Sequence, residues 1–195
     1  MPGRTFLSPL VSALVALLAL PAPLAAGTVD YILDPKASTV AFETDFGPDL
    51  ITGTIPLAAA DLQLDFAAVE NCHIEVTLDV TGATASFPFA AQALKGPKVL
   101  DARENPEMHF VSTAIRRTAD GAAVEGDITI RGVTKPVTFA AKLTRPQGSD
   151  PTDLSHLTLH LTGTVNRSDF GATGWSDMVG DEVRILITAR IAAGV

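Results

Sequence analysis

The stretch Asn166-Arg167-Ser168-Asp169-Phe170-Gly171 gathers more chemically capable side chains than any other part of the chain. An Arg/Asp pair suits acid-base work, Asn-Arg-Ser is an N-glycosylation sequon, and Asp-Phe-Gly is the tripeptide with which protein kinases hold magnesium. The kinase reading requires a glycine-rich loop, a V-A-I-K-type strand lysine and an HRD-type catalytic loop, and the sequence has none of these motifs. The sequon matters only in a eukaryotic secretory pathway, to which nothing else points. The simpler role is a strand end. Asn166 finishes the strand and bonds the following backbone, Asp169 bonds the turn, Phe170 folds inward, and Gly171 supplies the backbone freedom of the turn.

The remaining titratable groups are dispersed. There is no GxSxG elbow and no HExxH. His156 and His160 are four apart, which in a strand places them on one solvent face roughly 13 Å apart at a rise of ~3.3 Å per residue, too far to share a metal ion. His73 faces outward on its own run and His109 lies between Met108 and Phe110, so all four histidines read as surface residues. Glu75, Asp79, Glu125 and Asp127 fall on polar faces, where they keep the surface soluble. Neither catalytic nor metal-ligating residues emerge, and no cofactor is expected: the chain reads as a non-enzymatic protein.

The elements that hold these residues speak in period two. Ile74, Val76, Leu78 and Val80 alternate with His73, Glu75, Thr77 and Asp79, which predicts a strand with one dry and one wet face. Similar runs centre on Val124–Arg131, Leu157–Thr162 and Glu182–Thr188. Weaker ones lie at Ser38–Thr44, Leu50–Leu57, Met108–Arg117 and Val133–Leu143, with turn chemistry at Phe46-Gly47-Pro48, Ala119-Asp120-Gly121 and Arg131-Gly132. That makes eight antiparallel strands. The exception is Phe87–Glu104, where alternation stops and Ala and Leu recur at helical spacing, predicting one or two short helices over an end of the sheet. Eight such strands remove their edges either as a sandwich or as a closed barrel, and the pattern alone leaves both open.

Residues 1–27 have the layout of a secretory signal: Arg4, an apolar run Leu10–Leu20, then Pro21, Pro23 and the small residues Ala25 to Gly27. The run is too short for a bilayer core of roughly 30 Å, so the expectation is cleavage and a periplasmic or secreted domain over residues 28–195. The net charge is −8, and removing Arg4 takes it to −9, which disfavours nucleic-acid partners and anionic surfaces at long range. The single cysteine, Cys72, excludes an intrachain disulfide. It continues an apolar series and reads as a buried, inert thiol, although an exported thiol that pairs between chains would give a homodimer.

Four blocks together resemble the YceI-like family of exported lipid-binding proteins. They are Tyr31-Ile32-Leu33-Asp34-Pro35-Lys36-Ala37-Ser38 with Val40 and Phe42, Asn105 to Thr113 (NPEMHFVST), Gly126 to Phe139 (GDITIRGVTKPVTF), and the NRSDFG stretch before a final strand. The resemblance implies an all-β, eight-stranded, lipocalin-like antiparallel barrel with one or two short helices, whose interior takes the tail of a polyprenyl phosphate, a quinone or a similar amphiphile. The chain departs from the family between Phe87 and Glu104, where AAQALKGPKVL replaces the frequent Arg-Asp-x-His-Leu stretch.

The expected lining, from inward positions and the non-strand segment, is Phe42, Val76, Leu78, Phe89, Leu94, Phe110, Ile128 and Ile130, with Phe139, Leu159, Leu161, Phe170, Trp175 and Ile185. Arg167 heads the cations able to meet a headgroup, followed by Lys95, Lys98, Arg131 and Lys135. A carrier or buffer for an amphiphilic lipid, with transient membrane-surface contact, is the function expected. The alternatives are a lipid-modifying enzyme at the barrel mouth using Asp169 or a nearby histidine as base, and a stress-response scaffold without ligand.

Overall fold

The computed structural model describes residues 27–194, so the expected signal segment lies outside the described residues apart from Gly27. Eleven strand segments form one antiparallel sheet: β1 (Val29–Leu33), β2 (Thr39–Phe46), β3 (Asp49–Thr54), β4 (Leu57–Leu64), β5 (His73–Asp79) and β6 (Thr84–Ala85), then β7 (Glu107–Thr118), β8 (Gly121–Ile130), β9 (Val133–Thr144), β10 (His156–Asn166) and β11 (Val179–Ala193). The ring β1-β4-β5-β7-β8-β9-β10-β11 closes through β1 against β11, giving an eight-stranded barrel with β2, β3 and β6 branching from it.

The long strand β11 explains the branch. Its 15 residues pair along one edge with β10, while the other edge is shared by two short strands. Ile191–Ala193 take β1, and Val179–Thr188 take β2. The chain turns the corner between them at Pro35–Ala37, where the Arg190 N–H donates to Ser38 Oγ at 2.9 Å and Asp34 N–H to Arg190 O at 2.8 Å. A second break at Ile55-Pro56 separates β3 from β4, since proline cannot donate to a ladder. The barrel therefore has β1, β4 and β5 at one end, and β2, β3 and β6 extending the wall at the other.

The eight runs expected from alternation correspond to β2, β3, β5 and β7–β11, so the number of barrel strands agrees but the membership differs. β1 and β4 complete the ring, while β2 and β3 extend the wall. Phe87–Glu104 yields a single α-helix, α1 (Pro88–Lys95), with Pro88 opening it where a missing N–H does no harm. Among the described residues β6 pairs only with β3, which leaves its outer edge open there, and α1 packs beside it. The Arg131-Gly132 hairpin has positive φ at both central residues (52° and 71°), the two-residue turn whose twist matches its strands.

Two apolar clusters divide the interior. Tyr31, Leu62, Leu64, Leu157 and Ile191 fill the β1–β4 end, where the Tyr31 ring meets Phe66 edge-on at 5.7 Å and its hydroxyl donates to Leu154 O at 2.8 Å. The larger cluster, around Val80, Val124, Ile128, Phe139 and Phe170, surrounds a space instead of filling it.

Candidate ligand cavity

A cavity of about 240 Å³ runs inside the barrel beneath α1. Inward residues of β2, β5, β7, β8, β9, β10 and β11 supply its wall, and Ala90, Ala93 and Leu94 of α1 its cover. Helical geometry selects those three: positions i, i+3 and i+4 share one face, which leaves Phe89 and Gln92 outside. Leu62 and Ala189, members of the packed cluster at the β1–β4 end, lie at the far end, so the cavity is blind there. At the α1 end it meets an open depression of about 650 Å³ through shared residues Ile51, Ala90, Ala93, Trp175 and Val179.

The wall offers almost no hydrogen-bonding capacity. The Thr44 hydroxyl reaches Gly180 O and Glu182 O (3.2 and 2.9 Å), and no buried side-chain polar atom among the described residues lacks a partner. Arg167 lines the cavity yet is 8 % exposed, and its guanidinium donates to four carbonyls: Nε to Gly180 (2.9 Å), Nη1 to Ala172 and Gly174 (both 2.7 Å), Nη2 to Val179 (3.0 Å). These bonds staple the loop between β10 and β11. Arg167 is thus a structural clamp with four of its five N–H donors engaged by this loop, so a headgroup contact at its side chain would compete with those bonds.

The NRSDFG stretch is the strand end foreseen, with different bonding. β10 stops at Asn166, Arg167–Phe170 form a 3-10 turn, Phe170 is buried, and Gly171 takes the left-handed conformation at φ 71°. Asn166 makes no side-chain cap, and Asp169 is exposed. The carboxylate that ties the turn belongs to Asp181, which accepts from Ser168 N–H at 2.9 Å and Ser168 Oγ at 2.7 Å.

Every other expected lining residue except Phe89 borders the cavity. Phe89 is 85 % exposed and borders the outer depression beside Phe87, Met178 and Trp175, because the helix turns its alanines inward. Among the other cations, Arg131 bonds Pro97 O and Val99 O (3.1 and 2.8 Å) and Lys95 bonds Thr81 O (3.4 Å). Lys135 is exposed in register with Ile128, and Lys98 holds its ammonium 5.8 Å from the Trp175 ring centre. Sequence reasoning missed Ile51, Ala90, Ala93 and Val179, which connect cavity and depression; two of them are alanines, too small to register as candidates.

Residues 31–191 match the YceI-like domain. The chain belongs to the YceI-like family. It is 34 % identical over 129 residues to a UPF0312 protein of Pseudomonas putida (strain W619), covering 66 % of this chain and 67 % of the relative. Among solved structures, Burkholderia cenocepacia BcnA is similar with a TM-score of 0.73 and 22 % identity, over 82 % of this chain and 99 % of BcnA. A polyisoprenoid binding domain from Saccharophagus degradans is similar with a TM-score of 0.61 and 10 % identity, over 85 % of this chain and 99 % of that domain. At such identities the two structures establish a shared fold. For the YceI-like barrel described here, the resemblance read from the four sequence blocks and the eight-stranded antiparallel architecture it implied both hold.

The histidines form no centre. His160 lies 3.3 and 3.4 Å from the Thr144 and Thr188 hydroxyls, His109 3.5 Å from Glu107, and among the described residues no three His, Cys, Asp or Glu converge as a metal site. Cys72 is half-buried, its Sγ 3.1 Å from the Asp65 N–H, and burial raises its thiol pKa.

Proposed function

We propose that the protein is a non-enzymatic carrier or buffer that holds the apolar tail of an isoprenoid or similar amphiphile in its barrel. The observation that carries this reading is a blind apolar cavity, without a free polar partner, that opens on an aromatic rim. Hydrocarbon gains about 0.8 kcal/mol per CH₂ on leaving water, whereas a polar group sealed inside would lose its hydrogen bonds. The tail therefore enters first and the headgroup stays at the mouth, beside Lys98 and Gln92. The similarity to a polyisoprenoid binding domain supports the same class of ligand.

Against a bilayer, in which the tail is already dry, burial gives little net driving force. Exchange then depends on contact, and Phe87, Phe89, Trp175 and Met178 are the exposed apolar groups that surround the opening. Export to the periplasm through a cleaved residue 1–27 segment is part of the reading and is checked by fractionation of the native host. The enzymatic alternative relied on Asp169 or a nearby histidine as base; Asp169 is exposed on the 3-10 turn, and Asp169→Asn is expected to alter no property of the lipid complex.

The test is organic extraction and mass spectrometry of protein purified mildly from its host, with native mass spectrometry of the intact complex. An extractable apolar ligand in one-to-one ratio is expected. Protein that comes out empty and also fails to bind geranylgeraniol added in solution overturns the reading.

A further inference from the structure

An eight-stranded barrel is just wide enough to be filled by its own side chains, so a hollow one has to move bulk out of the lumen. Among the described residues four phenylalanines line this lumen, and three of them, Phe42, Phe110 and Phe139, each lie over a glycine of the adjoining strand. Phe42 on β2 is directly opposite Gly53 on β3. Phe110 on β7 lies over Gly126 on β8, where a methyl group in place of the glycine hydrogen would stand 2.5 Å from the ring; Phe139 on β9 lies over Gly163 on β10, where it would stand 2.7 Å away. The Phe110 and Phe139 rings meet edge-to-face, 5.5 Å between centroids at 82°.

A strand-interior glycine is ordinarily unfavourable relative to alanine, and three recur here on the lumen face under three aromatic rings. Any side chain at those positions would lift the ring above it towards the barrel axis. We propose that Phe42, Phe110 and Phe139, seated on Gly53, Gly126 and Gly163, set the calibre of the lumen and thereby select the bulk of the tail it admits. With the rings flat against the wall, the bore takes a methyl-branched chain; with one ring raised, it takes only a slim linear one. The inference rests on the reading of a lipid tail in this cavity and specifies which residues decide the kind of tail.

Gly163 gives the cleanest test, because the nearest atoms to the added methyl belong to the Phe139 ring, with Thr138 O next at 3.0 Å. At Gly53 and Gly126, backbone carbonyls crowd the site as closely. The probes are all-trans-geranylgeraniol and 1-hexadecanol, titrated against Trp175 emission, with far-ultraviolet circular dichroism to verify the fold. Gly163→Ala is expected to weaken geranylgeraniol about tenfold while changing hexadecanol by less than about threefold. The double variant Gly163→Ala/Phe139→Leu should recover most of the loss. Equal losses for both probes, no loss, or no recovery overturns the proposal. If Gly163→Ala does not fold, Phe139→Leu decides alone: it should move preference at least about threefold towards the branched chain, and an unchanged ratio overturns the proposal. A wild-type protein that binds neither probe refutes the lipid-binding reading, an outcome distinct from all of these.

Discussion

The Lys98 ammonium sits 5.8 Å from the centre of the Trp175 ring, at the junction of cavity and outer depression. Trp175 is the only tryptophan, and it is held with φ at 54°, a conformation uncommon outside glycine. Its emission therefore reports on the mouth. Lys98→Met keeps an apolar stem and removes the charge; it should shift Trp175 emission and weaken a prenyl phosphate about three- to tenfold, the scale of a partly desolvated charge contact, while leaving the matching prenyl alcohol unchanged. Equal effects on both ligands would place the headgroup elsewhere.

Arg167 is expected to matter for stability. Its planar fork reaches four carbonyls at once, and lysine, a compact point charge, cannot reproduce that geometry. Arg167→Lys should lower the unfolding free energy by about 2–4 kcal/mol, because buried carbonyls lose charged donors. Urea denaturation measures it. A wild-type midpoint would show the clamp to be redundant.

Acid sensitivity should trace to loop carboxylates. Asp65 Oδ1 accepts from the Ala68 and Ala67 N–H groups (2.9 and 2.8 Å) and Oδ2 from Asn71 (3.3 Å), and the Ala68 bond above all lowers its pKa below the usual 3.8. A lowered folded pKa means the contribution is complete above the unfolded value and disappears as pH falls through the folded one. Thermal midpoints should hold from neutral pH down to about pH 5 and fall below about pH 4. Asp65→Asn should start lower at pH 7 and decline less steeply. Parallel curves for the two proteins would show that Asp65 is not the source.

Cys72 should be slow to react. Burial, the largest influence on it, raises the thiol pKa, so little thiolate exists at neutral pH. A disulfide reagent at pH 8 should label native protein much more slowly than urea-unfolded protein. Comparable rates would reopen the thiol as a bridge between chains.

Alternation made β5, β8, β10 and β11 legible, because each buries one face and wets the other. It failed for β4, where Leu57-Ala58-Ala59-Ala60 has no contrast between faces, and it assigned the Leu50–Leu57 run past the Pro56 corner. Most of the lining was readable for the same reason: inward parity in a strand is a local property. Phe89 was misplaced because its direction follows from the helical turn of a segment whose alanines face inward.

The sequence alone determined the polar and apolar faces, the turn at Arg131-Gly132, the strand end at Asn166, and the family that four blocks of residues mark. Tertiary structure decided what those faces enclose. The donors of Arg167 look free until the loop at Ala172–Gly180 folds over them. Whether three phenylalanines fill the barrel or line it depends on glycines that cross-strand register places beneath them, 11, 16 and 24 positions away. Local pattern says which way a side chain points; only register says what lies underneath it, and that decides whether a core is solid or hollow.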